Sequence, residues 1–199
     1  MSAANHLFTW KKPYELKKTD WISFRKPLLD IIMVNNGVFS ENEELPEYES
    51  CLVGFDEFLM DYGYGADDNT VYVDSSLYFT NSVDDYDTAQ VLAVMLASGG
   101  KDLFFATEEI YSAYAEDGAV MDLTAILPQE LLVKYQDKLV YTRLYGTGEA
   151  YPCGIRLSDN PWMNANGYYR YSECVVGILS LSDNPQAARD FVEYLLSAK

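Results

Sequence analysis

The stretch "DLFFATEEIYSAYAEDGAVMDLTAIL", Asp102 to Leu127, decides how the rest of the chain is read. Leu103 to Ala106 is a short apolar run of the kind that fills a strand covered on both faces. Thr107 follows at the cap position, and Glu108 and Glu109 sit at the positive end of a helix dipole. Ile110, Tyr111 and Tyr114 give the helix an inner face, and Gly118 supplies its stop. A strand running straight into a capped helix, with neither nucleophile nor base between them, is a unit of sheet construction.

The same unit recurs twice upstream. "LLDIIMV", Leu28 to Val34, is a continuous apolar run that ends at the turn signal Asn35-Asn36-Gly37. Ser40 to Glu43 reads as a capping box and Pro46 as a first-turn proline. Tyr48, Leu52, Phe55, Leu59 and Tyr62 then recur at helical spacing up to Gly63. "TVYVDSSLYF", Thr70 to Phe79, places Val71, Val73, Leu77 and Phe79 on one face by alternation. Asp84, Asp85 and Asp87 open "TAQVLAVMLASGG", which is apolar almost all round and is therefore expected to be deeply buried. Strand-helix alternation repeated three times predicts an α/β fold: three layers, a mostly parallel sheet and helices on both faces.

Beyond Pro128 the pattern changes. "KLVYTRLYGTGEAYPCGIRL" predicts an antiparallel pair around Gly146 to Gly148, and "NPWMNANGYYRYSE" reads as an aromatic loop. "CVVGILSLS", Cys174 to Ser182, is another buried strand. Pro185 starts a last helix with Ala188, Phe191, Val192, Leu195 and Leu196 as its stripe.

At 199 residues and a net charge of −17 the chain has room for one substantial core, and its surface repels phosphate backbones and anionic lipid. No nucleic-acid role is expected. Residues 1–27 hold six of the fourteen basic residues and are read as a mobile or juxtamembrane segment ahead of a single domain, residues 28–199. No stretch reaches the length of a membrane span, and no signal-type apolar region follows the start. With three cysteines out of CxxC spacing and a single histidine, His6, no metal and no cofactor is expected. Cys51 reads as a core thiol. Cys153 and Cys174 fall in apolar segments that could be neighbouring strands, which leaves open a disulfide or two buried free thiols.

Three segments carry a family resemblance. "KDLFFATEEIYSAYAEDGAVMDLTAIL" resembles the third strand and following helix of extracellular solute-binding proteins of ABC transporters, the type with oligosaccharide ligands. "GEAYPCGIRL" is similar to the segment where such chains re-enter their first lobe. "GILSLSDNPQAARDFVEYLL" is similar to a strand and helix late in that lobe. The resemblance implies one lobe of a periplasmic binding protein. Only Ser158 to Glu173 stands where the second lobe would be inserted, as in small membrane-anchored proteins of Gram-positive bacteria. It also implies an extracytoplasmic place for a membrane-anchored parent; the missing signal and unpaired-looking cysteines suit the alternative, a cytoplasmic protein.

In open α/β sheets ligands lie beyond the carboxyl ends of the strands. That rule selects Asn35, Asn36, Ser75, Ser76, Thr107, Glu108 and Glu109 as a candidate rim, although turns and caps choose the same residue types. Trp162, Tyr168 and Tyr169 are the candidate anchors of an exposed aromatic face, suited to sugar rings or to a protein partner. "GADDNT", Gly65 to Thr70, lacks the ligand spacing of a calcium loop. Cys153 has no histidine to activate it, and no Gly-x-Ser-x-Gly elbow or phosphate loop is present. No catalytic residue is expected. The reading is a non-enzymatic interaction domain that docks a protein or a second copy of itself. The alternatives are a sugar- or peptide-binding protein and, further off, a glycosidase working through paired carboxylates.

Overall fold

The computed structural model describes residues 26–35, 55–65, 70–80, 85–144, 148–169 and 173–198. Among the described residues six strands form one sheet in the order β2-β1-β3-β6-β5-β4. They are β1 (Leu29–Met33), β2 (Val71–Asp74), β3 (Leu103–Ala106), β4 (Leu139–Thr142), β5 (Tyr151–Arg156) and β6 (Val175–Ile178). The helices are α1 (Phe55–Asp61), α2 (Asp85–Ala97), α3 (Glu108–Glu116), α4 (Gln129–Lys134), α5 (Pro161–Ala165) and α6 (Pro185–Ser197).

The parallel half follows from the strand-helix alternation. β1 pairs parallel with both β2 and β3, so the chain steps one way for β2 and back across β1 for β3. Crossovers of one hand that move in opposite directions place their helices on opposite faces. Accordingly, α1 contributes Phe55, Phe58 and Leu59 to one apolar cluster, and α2 contributes Leu92 and Leu96 to another. The strands divide their side chains in the same way, with Ile31 and Met33 in the first cluster and Ile32 and Val34 in the second. α6 joins the first cluster through Ala188, Phe191, Val192 and Leu195, and α3 joins the second through Tyr111 and Ala115.

The expectation of a mostly parallel sheet is corrected by the other half. β3 with β6, β6 with β5, and β5 with β4 are all antiparallel, three of the five pairings. After α3 and α4 the chain begins β4 at the far edge and works back inward. The β4–β5 pair expected around the glycine turn is present, with residues 145–147 outside the described set. Each return reverses direction, which is what a strand gets when no crossover helix carries it back to its starting end.

Two further expectations change. α2 is a surface helix: Val91 and Val94 are 49% and 66% exposed, and only Leu92 and Leu96 are buried. The strand read as Thr70 to Phe79 pairs only from Val71 to Asp74; the rest is extended chain that crosses to the end of β1, where the Asn35 N–H donates to the Leu77 carbonyl.

Cys153 and Cys174 are both buried and free, and they belong to opposite clusters, so the sheet separates them. Burial pushes the Cys153 thiol up to about 11 and the Cys174 thiol up to about 12. Since the thiolate is the reactive form, neither should react with iodoacetamide in the native protein at mildly alkaline pH, while both should react after denaturation. Peptide mass mapping checks this, and fast native labelling of either would contradict the packing. Cys51, Asn36, the Ser40–Glu43 box and Pro46 lie outside the described residues, as does most of the "GADDNT" segment.

Candidate functional site: a cleft at the strand ends

The carboxyl ends of β1, β2 and β3 lie at one end of the sheet because the three run parallel. β1 sits between β2 and β3, and the chain reverses its direction of travel there, which makes the β1/β3 boundary a topological switch point. A cleft of about 650 Å³ opens at that place. Asn35 from the end of β1, Phe79 from the segment after β2 and Thr107 from the end of β3 line it, and α3 supplies a wall of Glu109, Ile110, Ala113, Tyr114 and Asp117.

Local chemistry fixes the frame of this cleft. Asn35 has φ of 54°, a left-handed conformation that asparagine tolerates better than most residues. Its side chain grips the backbone of Phe79: the Phe79 N–H donates to Oδ1 at 2.6 Å and Nδ2 donates to the Phe79 carbonyl at 3.4 Å. On the other side of the same strand end, the Tyr169 hydroxyl donates to the Val34 carbonyl at 2.7 Å. The Tyr114 hydroxyl donates to the Ala89 carbonyl at 3.1 Å, which ties α3 to α2. Burial, then the neighbouring Asp117 carboxylate, raises the Tyr114 phenol above its ordinary value.

The structure sorts the residues selected from sequence. Asn35, Thr107 and Glu109 come together in the cleft. Thr107 holds the cap position of α3, but its hydroxyl makes no cap bond to the helix, which leaves that oxygen to the cleft. Ser75 and Ser76 are not among the lining residues, and Ser76 donates through both N–H and Oγ–H to the Asp74 carboxylate. Glu108 points elsewhere. Arg156 at the end of β5 holds it through two bonds, Nε to Oε2 at 2.7 Å and Nη2 to Oε1 at 2.5 Å, while Nη1 donates to the Leu139 carbonyl.

The Arg156 hydrogen bonds hold the Glu108 carboxyl below its ordinary value, against a smaller opposing effect of desolvation. A depressed acid contributes stability that is present above its unfolded value and lost as pH falls through the folded one. Both side chains are about a third to a half exposed, so the contribution is small. Glu108→Gln is expected to lower stability by less than about 1 kcal/mol near neutrality, with the difference from wild type vanishing in acid. Urea unfolding at several pH values reads it; a gap that widened toward acid would contradict the pairing.

The aromatic anchors are corrected outright. Trp162, Tyr168 and Tyr169 are 5%, 4% and 6% exposed and form no open face. Trp162 stacks on Tyr168 with ring centroids 5.2 Å apart, and edge contacts join it to Phe55 of α1 and Phe191 of α6. What reads as a loop contains α5, because the Asn160 side chain accepts the Met163 N–H and donates to the Leu195 carbonyl, seating the turn on α6. The sequence reading missed Asp117; Ile110 and Tyr114 do pack, partly buried, against the second cluster as expected of the inner face, and they line the cleft as well. The signal was available: Ile110, Ala113, Tyr114 and Asp117 follow helical i, i+3, i+4, i+7 spacing, one stripe over from the buried Tyr111 and Ala115. Among the described residues no cluster of three or more histidine, cysteine or acidic side chains is placed to hold a metal, and no helix is long and apolar enough to cross a membrane.

No family model, characterised protein or solved structure matches this chain.

Proposed function

We propose that this chain is a non-enzymatic binding domain that holds a small ligand in the cleft where β1 and β3 end. The observation that carries the reading is the cleft itself: about 650 Å³, at a switch point, with apolar walls and a few polar groups. Ligand sites have this size, composition and place in α/β sheets. The burial of Trp162, Tyr168 and Tyr169 removes the anchors on which a protein-docking face was expected, and so moves the small-ligand reading ahead of it. The parallel order β2-β1-β3, with helices in both apolar clusters, supports a three-layer lobe of the solute-binding kind. An extracytoplasmic place in a membrane-anchored parent belongs to the same proposal, and an apolar span in the longer reading frame is its test.

Thermal melting against a panel of oligosaccharides, short peptides and amines tests the binding. A ligand at a hundredfold excess over its Kd stabilises a fold by about 2.7 kcal/mol. Ala113→Trp fills the cleft from an exposed helix position and should abolish the shift without lowering the melting temperature of the free protein. A shift that survives Ala113→Trp, or no shift from any class, defeats the reading. A protein partner is the second reading, supported by the exposed apolar side of α2 at Tyr86, Val91 and Val94.

A further inference from the structure

We propose that the ligand of the cleft is a linear aliphatic polyamine, spanning from Glu109 to Asp117 along α3; this rests on the reading of the cleft as the binding site. Among the described residues, the charged side chains that line the cleft are these two carboxylates, and no lysine, arginine or histidine lines it with them. No ion pair takes up either one among the described residues, whereas their neighbour Glu108 is held by Arg156.

Their spacing selects the shape of the cation. They stand eight positions apart, Glu109 in the first turn of α3 and Asp117 at its C-cap, about 12 Å along the axis at 1.5 Å per residue. Ile110, Ala113 and Tyr114 lie between them as a largely apolar floor. Two negative ends joined by an apolar strip complement two ammonium groups joined by methylenes. A single metal ion does not fit, because its ligands must converge within about 2–3 Å of it. An anion would enter against both carboxylates and a chain of net charge −17.

A neutral sugar finds few partners here. The Asn35 amide is engaged by the Phe79 backbone, and the Tyr114 hydroxyl donates to the Ala89 carbonyl. Of the described lining side chains other than the carboxylates, that leaves the Thr107 hydroxyl, which would accept from or donate to an amine in the middle of a polyamine.

Isothermal titration at physiological salt, with spermidine, putrescine and hexylamine as probes, tests the proposal. Spermidine should bind most tightly, putrescine should be too short to engage both ends, and hexylamine should engage only one. Glu109→Gln and Asp117→Asn should each weaken spermidine by roughly three- to fivefold, the most an exposed ion pair contributes, and together should remove its advantage over hexylamine. Glu130→Gln with Asp137→Asn, two exposed acids outside the cleft, should leave binding unchanged. Equal loss from that remote pair would reduce the effect to diffuse attraction and overturn the proposal, as would spermidine binding no better than hexylamine or not at all. If a sugar or peptide gives a melting shift that Ala113→Trp removes while amines give none, the polyamine fails and the cleft stands; if no probe responds to Ala113→Trp, both fail.

Discussion

Gly177→Ala is expected to destabilise the protein by about 3 kcal/mol or more, a fall of roughly 6–12 °C in melting temperature for a chain of this size. A methyl group built on Gly177 in β6 would lie 1.8 Å from the Tyr111 hydroxyl oxygen and 2.8 Å from the Cys153 carbonyl oxygen. Neither neighbour can retreat easily. Tyr111 is fully buried, its hydroxyl donates to the Cys153 carbonyl at 2.7 Å, and its ring stacks on Phe104 at 5.4 Å. The Cys153 carbonyl is backbone in the adjacent strand. Gly154 completes the arrangement, since a methyl there would come within 2.9 Å of the Tyr111 ring and hydroxyl and 2.7 Å of Val175. Two glycines in neighbouring strands thus leave room for one tyrosine of α3 to lie down on the sheet.

A double-mutant cycle isolates that cause. Tyr111→Phe alone loses a buried hydrogen bond and should cost about 1–2 kcal/mol. Combined with Gly177→Ala, it removes the atom in closest contact, so the pair should be less destabilising than the sum by about 1 kcal/mol or more. Strict additivity in urea unfolding would mean that the hydroxyl contact is not what excludes the methyl. Because α3 is the wall of the cleft, the seating of Tyr111 also fixes where Glu109 and Asp117 stand.

The β3–α3 unit was legible because its apolar run, its first-turn acids and its terminal glycine agree at every level. Gly118 does take φ of 82°, and its N–H bonds back to Ala115. The direction of the later strands was not legible. Val175 to Ile178 is as apolar as β1 and buried like it, and burial on two faces says nothing about parallel or antiparallel neighbours. α2 shows the complementary limit. Val91 and Val94 are as apolar as Leu92 and Leu96, and only position on the sheet makes one pair core and the other surface. The aromatic segment misled in the opposite sense: asparagines at 160, 164 and 166 read as loop, yet Asn160 is buried and spends its amide on α5 and α6. The rule of strand ends did find the place of the cleft. It could not separate Thr107 and Glu109, which line it, from Glu108, whose direction is set by an arginine forty-eight residues away.

Asp102→Ala should be the other severe change, costing about 3 kcal/mol or more, because it removes a fully buried acceptor and leaves three partly buried donors without it. Asp102 is fully buried at the opposite end of the sheet from the cleft. Its carboxylate accepts the Asp30 N–H at 2.9 Å on one oxygen, and the Ser182 hydroxyl at 2.7 Å and Asn184 N–H at 2.9 Å on the other. One side chain therefore joins the starts of β1 and β3 to the entry of α6, whose own cap residue Asn184 makes no side-chain cap bond. The Asp102 backbone repeats the link, donating to the Asp30 carbonyl and accepting from the Leu179 N–H. Asp102→Asn keeps the shape and one acceptor oxygen but turns an N–H₂ toward a donor, so it should fall between wild type and alanine. Asp122→Ala is the matched control, an aspartate that accepts from the N–H and hydroxyl of Thr124 in a solvent-exposed turn; its loss should cost only about 1 kcal/mol, as water replaces the carboxylate. Chemical unfolding of the three variants orders them. An Asp102→Ala protein no less stable than Asp122→Ala would show that water reaches these donors, and that the knot at the base of the sheet is not what holds α6 in register with β1 and β3.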